Sequence, residues 1–267
     1  MNTQYLSTRW VHLNVSLLIE LTKRDFTERY SGSVLGVFWS FLWPLVNIFV
    51  YTVIFSQVMG ARLQNSSSSY GYGIYLVAGI LPWTAFVNTV SRSATVFVDK
   101  KSVISKIKVS LPSLPLYIVM SESITFMITL FIYICFLVIT GTPLKKTLIF
   151  LPAIYLIQQI FAFSLGFLIA IFHVFIRDLK EITGIVLQIW FWFTPIVYVY
   201  DILPVFAKNM VAYNPAFYFV KSYQDIFVLN QTPNFIHLLQ LTILSHAVLM
   251  ASYLIFKKLE RDIRDFI

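Results

Sequence analysis

Arg24-Asp25-Phe26 and Arg29-Tyr30, followed by Ser33-Val34-Leu35-Gly36-Val37-Phe38-Trp39-Ser40 and then Trp43-Pro44-Leu45, set a basic amphipathic segment directly against the start of a long apolar run. That order fits a helix lying on a membrane surface and feeding into a spanning helix. The composition points the same way. Of 267 residues, 58% are apolar and 12% charged, and the mean hydropathy is +0.77. These are too few polar groups to cover a soluble globule of this length, so the chain is expected to be an all-α integral membrane protein that crosses the bilayer several times.

Apolar runs of about 20 residues lie near 34–59, 73–98, 112–139, 147–174, 183–200 and 235–256, which predicts six spans, the fifth of them short. The cations explain the net charge of +8 by position rather than by nucleic-acid binding. Arg9, Lys23, Arg24 and Arg29 precede the first run, Lys100, Lys101, Lys106 and Lys108 follow the second, Arg177 and Lys180 follow the fourth, and Lys257, Lys258, Arg261 and Arg264 close the chain. The opposite side holds Arg62, Lys145, Lys146, Lys208 and Lys221, so both termini are expected in the cytoplasm. No cleaved signal peptide is expected, because Met1-Asn2-Thr3-Gln4 lacks a basic start. Neither a second domain nor an internal repeat is evident. The expected division is a single transmembrane bundle over 1–267, with an amphipathic interface segment at 1–33, the spans at 34–256 and a cytoplasmic tail at 257–267. Asn65-Ser66-Ser67-Ser68-Ser69 reads as an outward loop.

The segment 201–233 is too polar to span, yet it has its own helix start. Asn214 is a good N-cap with Pro215 at the first helical position, and Phe217, Val220, Gln224 and Phe227 recur at helical spacing. A short re-entrant or interfacial helix at the outer face is predicted, shielded by neighbouring protein.

In order along the chain, Arg24 through Pro44, Phe175-Ile176-Arg177-Asp178-Leu179-Lys180-Glu181-Ile182, and Asn214-Pro215-Ala216-Phe217 resemble the permease subunits of bacterial ABC transporters that export polysaccharides such as O-antigen, capsule and teichoic acid. Lys221 stands near where that family carries an arginine in its outer helix. The resemblance implies a homodimer enclosing a channel in the bacterial inner membrane, with two separate ATP-binding subunits docked below that bind ATP and magnesium. The sequence agrees in one respect: it contains no G-x-x-x-x-G-K-[ST] phosphate loop, so energy would have to come from a partner. The substrate implied is a lipid-linked polysaccharide, moved outward.

Ser40, Trp43, Asn47 and Tyr51, with Gly36 a turn earlier, follow one another at steps of three or four and share a helix face. Gly36 and Gly32 would allow close helix approach, so ordinary packing is one reading of the stripe. Lining of a sugar path is the other: sugar C–H faces stack on aromatic rings while hydroxyls take hydrogen bonds. Asn47 fits either; Trp43 and Tyr51 favour the path. Gln188, Trp192 and Pro195 could line the same path, whereas Trp190 and Phe193 suit a belt at the lipid headgroups. Thr84, Asn88, Ser91 and Thr95, and likewise Ser121, Thr125 and Thr129, read as helix contacts.

Arg92 and Glu122 fall at similar depth in neighbouring antiparallel spans and are expected to form an intramembrane ion pair, an anionic lipid phosphate on Arg92 being the alternative. Asp99 would cap a short helix through Lys108 with Val103, Ile104 and Ile107 on one face. Given the resemblance, Asp99, Lys100, Lys101 and Lys106 are assigned to ATPase coupling, with Arg177, Asp178 and Glu181 as a second contact. Arg24, Asp25 and Arg29 either join that contact or follow the membrane surface.

His12, His173, His237 and His246 share no metal-ligand spacing with carboxylates or with Cys135, so neither a metal site nor a cofactor site is expected in this chain, and no nucleophile–base pair can be assembled. Two competing functions are a membrane enzyme acting on a lipid-linked sugar and a related permease exporting a drug or small lipid.

Overall fold

The computed structural model describes residues 15–29, 31–54, 70–106, 110–143 and 146–267. Arg9, His12, Arg62, Ile107, Lys108, Lys145 and the Asn65–Ser69 loop lie outside the described residues. Among the described residues the chain is helical, without strands. In order come α1 (Val15–Glu28), α2 (Trp39–Val53), α3 (Gly71–Asp99), α4 (Lys101–Lys106), α5 (Leu114–Ile139), α6 (Leu151–His173), α7 (Leu179–Trp192), α8 (Val205–Ala212), α9 (Pro215–Gln224) and α10 (Phe235–Phe266).

Four stretches are long and apolar enough to cross a bilayer: Gly71–Asp99, Leu111–Ile139, Lys146–His173 and Phe235–Phe266. The other two apolar runs form shorter helices. α2 has 15 described residues and α7 has 14, about 21–23 Å at 1.5 Å per residue against a hydrocarbon core of about 30 Å. The fifth run was expected to continue to 200, but its helix stops at Trp192. Pro195 accounts for this, since a proline disfavours helical geometry in the residue before it. At the other end, α10 continues unbroken to Phe266 where a tail was expected from 257, and Arg264 pairs with Glu260 one turn back at 3.2 Å.

α3 is the central rod. Phe86 is fully buried on it, with ring centroids 5.6 Å from Trp83, 5.7 Å from Phe161, 5.5 Å from Trp190 and 5.3 Å from Phe219. Trp190 therefore belongs to the core and not to the headgroup belt expected from the sequence. Its indole Nε1 donates to Asn214 Oδ1 at 2.7 Å. Asn214 does what its position predicts, accepting from Ala216 N at 2.9 Å. It also donates to Phe193 O at 3.1 Å and Thr194 Oγ1 at 2.9 Å, tying the end of α7 to the start of α9. α9 is packed into the bundle, with Phe219, Val220 and Tyr223 fully buried.

α1 is docked on the bundle rather than lying free beside it. Leu18 and Leu21 pack with Val96 and Phe97 of α3 and with Leu111, Leu114, Tyr117 and Ile118 at the start of α5. Along α6 and α10, Ser164 Oγ donates to Ser245 O at 3.1 Å and Ser252 Oγ to Ser164 O at 3.2 Å, the small-residue contact that helices use where no water is available.

Gly166 of α6 meets α3 so closely that a Cβ there would lie 2.5 Å from Ser93 Cβ, whereas a Cβ at Gly184 of α7 would have nothing within 4 Å. Gly166→Ala should therefore force the two helices apart and cost about 1–3 kcal/mol. Gly184→Ala should be neutral or stabilising by up to about 1 kcal/mol, as expected of glycine replaced in a helix interior. Melting of the two variants in detergent checks this; equal melting temperatures would show that α3 and α6 are not in tight register.

Candidate functional site

Asp25 lies in the last turn of α1 and Arg29 directly follows its end, Asn88 and Arg92 are one turn apart on α3, and Ser121 and Glu122 are adjacent on α5. The docking of α1 brings these six together. Glu122 Oε1 lies 2.6 Å from Arg92 Nη1 and 2.6 Å from Arg29 Nη2, so both guanidiniums share one carboxylate oxygen. Arg92 Nη2 pairs with Asp25 Oδ1, and Arg29 Nη2 lies 3.2 Å from Asp25 Oδ2. Ser121 Oγ donates to Asp25 Oδ2 at 2.5 Å and accepts from Arg29 Nη2 at 3.0 Å. Asn88 Nδ2 donates to the other Glu122 oxygen at 3.4 Å.

The Glu122 side chain is 1% exposed while those of Arg29 and Arg92 keep 24% and 29%. A carboxylate buried so deeply stays charged only if its desolvation is repaid by close, hydrogen-bonded cations. The two acids and two arginines sum to zero charge, so the cluster is balanced as a whole. From sequence, Arg92 and Glu122 were expected to form a pair of two. Asp25 and Arg29, which could have faced the membrane surface or an ATPase, are turned inward instead. The signal was present in the spacing: Leu18, Leu21, Asp25 and Arg29 recur at steps of three, four and four, and so share the face that docks.

Glu122 also stands at one end of a cleft of about 300 Å³ bounded by α2, α3 and α5. Trp39, Ser40, Trp43, Asn47 and Tyr51 come from α2, Thr84 and Asn88 with apolar neighbours from α3, and Glu122, Thr125, Phe126 and Thr129 from α5. The stripe Ser40, Trp43, Asn47 and Tyr51 is thus on one wall. Trp43 remains 62% exposed. Thr84, Asn88, Thr125 and Thr129, read from sequence as helix contacts, line the same cleft. Gly36 is not part of the helical stripe. It lies in the turn Gly36–Phe38 with φ +50°, and Gly32 has φ +80°, conformations that a side chain disfavours. Neither has an atom within 4 Å of where a Cβ would sit, so both serve the turn rather than close helix packing.

Gln188 and Trp192 do not join this cleft. With Trp83, Val87, Ser91 and Gly184 they line a separate groove of about 390 Å³ between α3 and α7, because α3 stands between the two. Pro195 is drawn inward, its carbonyl accepting from Gln224 Nε2 at 3.1 Å and Tyr75 Oη at 3.3 Å.

At the α1 end of α3, Asp99 is the last helical residue and accepts from Thr95 Oγ1 at 2.6 Å; the short helix predicted to start there begins at Lys101. Lys101 and Lys106 are exposed, Val103 and Ile104 are turned against the α1 core, and Lys100 Nζ lies 5.4 Å from the centre of the Tyr117 ring. Arg177, Asp178 and Glu181 are exposed at the start of α7, where the helix dipole favours the two acids. Among the described residues, no three of His, Cys, Asp and Glu are grouped to hold a metal ion.

Glu122→Ala leaves Arg29 and Arg92 with only Asp25 between them, an excess positive charge in the bundle, and should cost about 3–5 kcal/mol. Glu122→Ala combined with Arg92→Ala leaves the neutral pair Asp25–Arg29 and should recover part of that loss. Melting temperature and yield in detergent read this out, and a double variant no better than the single one would show that charge balance is not what holds the cluster.

Comparison with known proteins places this geometry in a family. A family profile described as ABC-2 type transporter matches residues 16–228. Two relatives, both named O-antigen export system permease protein RfbA, are each 29% identical to the chain. The one from Klebsiella pneumoniae aligns over 245 residues, 91% of this chain and 92% of its own length. The one from Myxococcus xanthus aligns over 253 residues, 94% of this chain and 95% of its own. These relatives are transport permeases and not enzymes, which sets aside the reading as an enzyme acting on lipid-linked sugars. With its profile match running from α1 through α9, the chain belongs to the ABC-2 type transporter family.

Proposed function

We propose that this chain is the membrane-spanning subunit of an ATP-driven exporter that moves a lipid-linked polysaccharide, of the O-antigen class, from the cytoplasmic to the outer side of a bacterial inner membrane. Two copies would enclose the path, with α2 and α7 completing six spans per copy and both termini in the cytoplasm. Two separate ATP-binding subunits would dock at the α1 end and carry the ATP and magnesium. The relatives' names support the substrate class.

The observation that carries the reading is the cleft itself, with Trp39, Trp43, Tyr51 and Phe126 interleaved with Ser40, Asn47, Thr84, Asn88, Thr125 and Thr129. Rings accept the apolar faces of sugars and the hydroxyls and amides accept or donate to their OH groups. A sliding chain is served by many such weak contacts. Gln188 and Trp192 would reach the path only across a dimer, and the exposed aromatic faces of α2 and α7 are compatible with that. α4 supports the coupling role: Val103 and Ile104 hold it to the bundle while Lys101 and Lys106 face away.

Trp43→Ala with Tyr51→Ala should slow export several-fold; Trp43 is mostly exposed and its truncation opens no enclosed cavity, so any loss of stability should come from the half-buried Tyr51 and stay below that of two packed rings. Were this face packed against a neighbouring helix, the pair would instead cost about 3 kcal/mol for each ring. Surface polysaccharide measured beside dimer yield separates the two, and lost stability with unchanged export per folded molecule would sink the path assignment.

Reversing Lys100, Lys101 and Lys106 to Glu should uncouple ATP hydrolysis from export while the membrane subunits still assemble. Co-purification with the ATPase and substrate-stimulated hydrolysis check it; normal coupling would remove α4 from the contact.

A further inference from the structure

Glu122 belongs to two structures at once, the ion cluster that holds α1 and the wall of the cleft. On α5, Tyr117, Ile118 and Ser121 meet α1, and the following turns, Thr125 and Thr129, face the cleft. On α3 the order is reversed, with Phe97 and Arg92 toward α1 and Asn88 and Thr84 toward the cleft. α1 therefore sits across the end of the cleft. The chain leaving α1 runs through Gly32 and Gly36, neither of them packed, into α2, which is itself a cleft wall.

The charges divide in a particular way. On the α1 segment, Asp25 and the following Arg29 are already paired at 3.2 Å, and between α3 and α5, Arg92 and Glu122 are paired at 2.6 Å. Pulling α1 away breaks Arg29–Glu122 and Arg92–Asp25, yet each half keeps one acid and one base. No uncompensated charge is left behind in the bundle, which is the step that makes opening most buried ionic clusters prohibitive. A four-membered network that separates into two neutral pairs is built to open and reclose.

We propose that α1 is a latch for the cleft: closed, its Asp25 and Arg29 pin it across the Glu122 end; open, it releases that end and carries the α2 wall with it. Force applied to the exposed face of α1, at Lys23, Arg24 and Glu28, would be converted into access to the cleft. This goes beyond the exporter reading and needs no knowledge of the substrate.

The test is cysteine accessibility in membrane vesicles holding the full chain, with Cys135→Ala as background. A Thr125→Cys reporter in the cleft is reacted with a membrane-impermeant maleimide supplied from the α1 side. Asp25→Asn with Arg29→Gln removes the two charges that the α1 segment brings to the cluster and leaves Arg92–Glu122 paired, so the bundle stays balanced. It should raise the labelling rate at least about fivefold. Arg29→Lys keeps the full charge balance but gives up the shared grip on two carboxylates, and should raise it about twofold. A Ser164→Cys reporter, buried between α6 and α10, should stay unreactive in all of them. Unchanged labelling of Thr125→Cys in both variants overturns the latch. So does a parallel rise at Ser164→Cys, which would mean that the bundle has merely loosened. No polysaccharide or ATPase enters the measurement, so its failure is distinguishable from failure of the export assignment.

Discussion

A single carboxylate oxygen, Glu122 Oε1, receives two guanidiniums from two different helices at 2.6 Å each. In a bundle with no bulk water to solvate it, that oxygen dictates where α1 and α3 can sit relative to α5. Moving Arg92 alone by a few ångströms leaves buried carboxylates short of a partner, at a cost of several kcal/mol. The apolar contacts of Leu18 and Leu21 alone would let α1 slide, because hydrophobic burial is non-directional. The ionic contacts fix its register and its rotation. They therefore also fix the position of the turn at Gly32 and Gly36, and of α2 beyond it.

The end of the bundle away from α1 is held by a different kind of constraint, namely polar atoms of loops that must find partners inside the bundle. Asn214 caps α9, takes the Trp190 indole and donates to the end of α7. The Pro195 carbonyl is met by Gln224 and Tyr75. Each such group left unpaired in an apolar setting would cost about 1–3 kcal/mol. The breaks after α7 and before α9 are accordingly tied to the bundle by hydrogen bonds.

How much of this was legible in the sequence differs by the kind of signal. Helix type and the long spans follow from apolar run length, and the start of α9 from Asn214-Pro215, because both are local rules. Glu122 and Arg92 could be singled out because charges within apolar runs are rare. Their partners could not be inferred from the run alone, since Asp25 and Arg29 are 67 and 93 positions away from the residues they meet. Trp190 was misread for a related reason. Trp at the end of an apolar segment suits a headgroup belt on statistics, and only the burial of Phe86, Phe161 and Phe219 around it makes it core. Gly32 and Gly36 matched a packing spacing, but positive φ was the stronger demand. Thr84, Asn88, Thr125 and Thr129 have the same spacing whether they face a helix or a cleft, so spacing could not choose.

Some of the cleft's polar groups are engaged before any ligand arrives. Thr125 Oγ1 donates back to Ser121 O at 3.4 Å, and Thr129 Oγ1 to Thr125 O at 2.9 Å. Their hydroxyl protons are thus engaged by their own helix, leaving lone pairs as acceptors. Glu122 Oε1 is held by two arginines, and its second oxygen receives only Asn88, at 3.4 Å. Where a hydroxyl is engaged by its own helix in this way, the departure of a ligand leaves no donor orphaned. Such a hydroxyl also gains little when one arrives. On the proposed export reading, the rings would offer stacking area nearly the same for every pyranose face, and such a shallow and repetitive interaction suits a chain that must pass and not stay. The strong interactions in this region are spent on holding α1, at the end of the cleft, instead of on anything inside it.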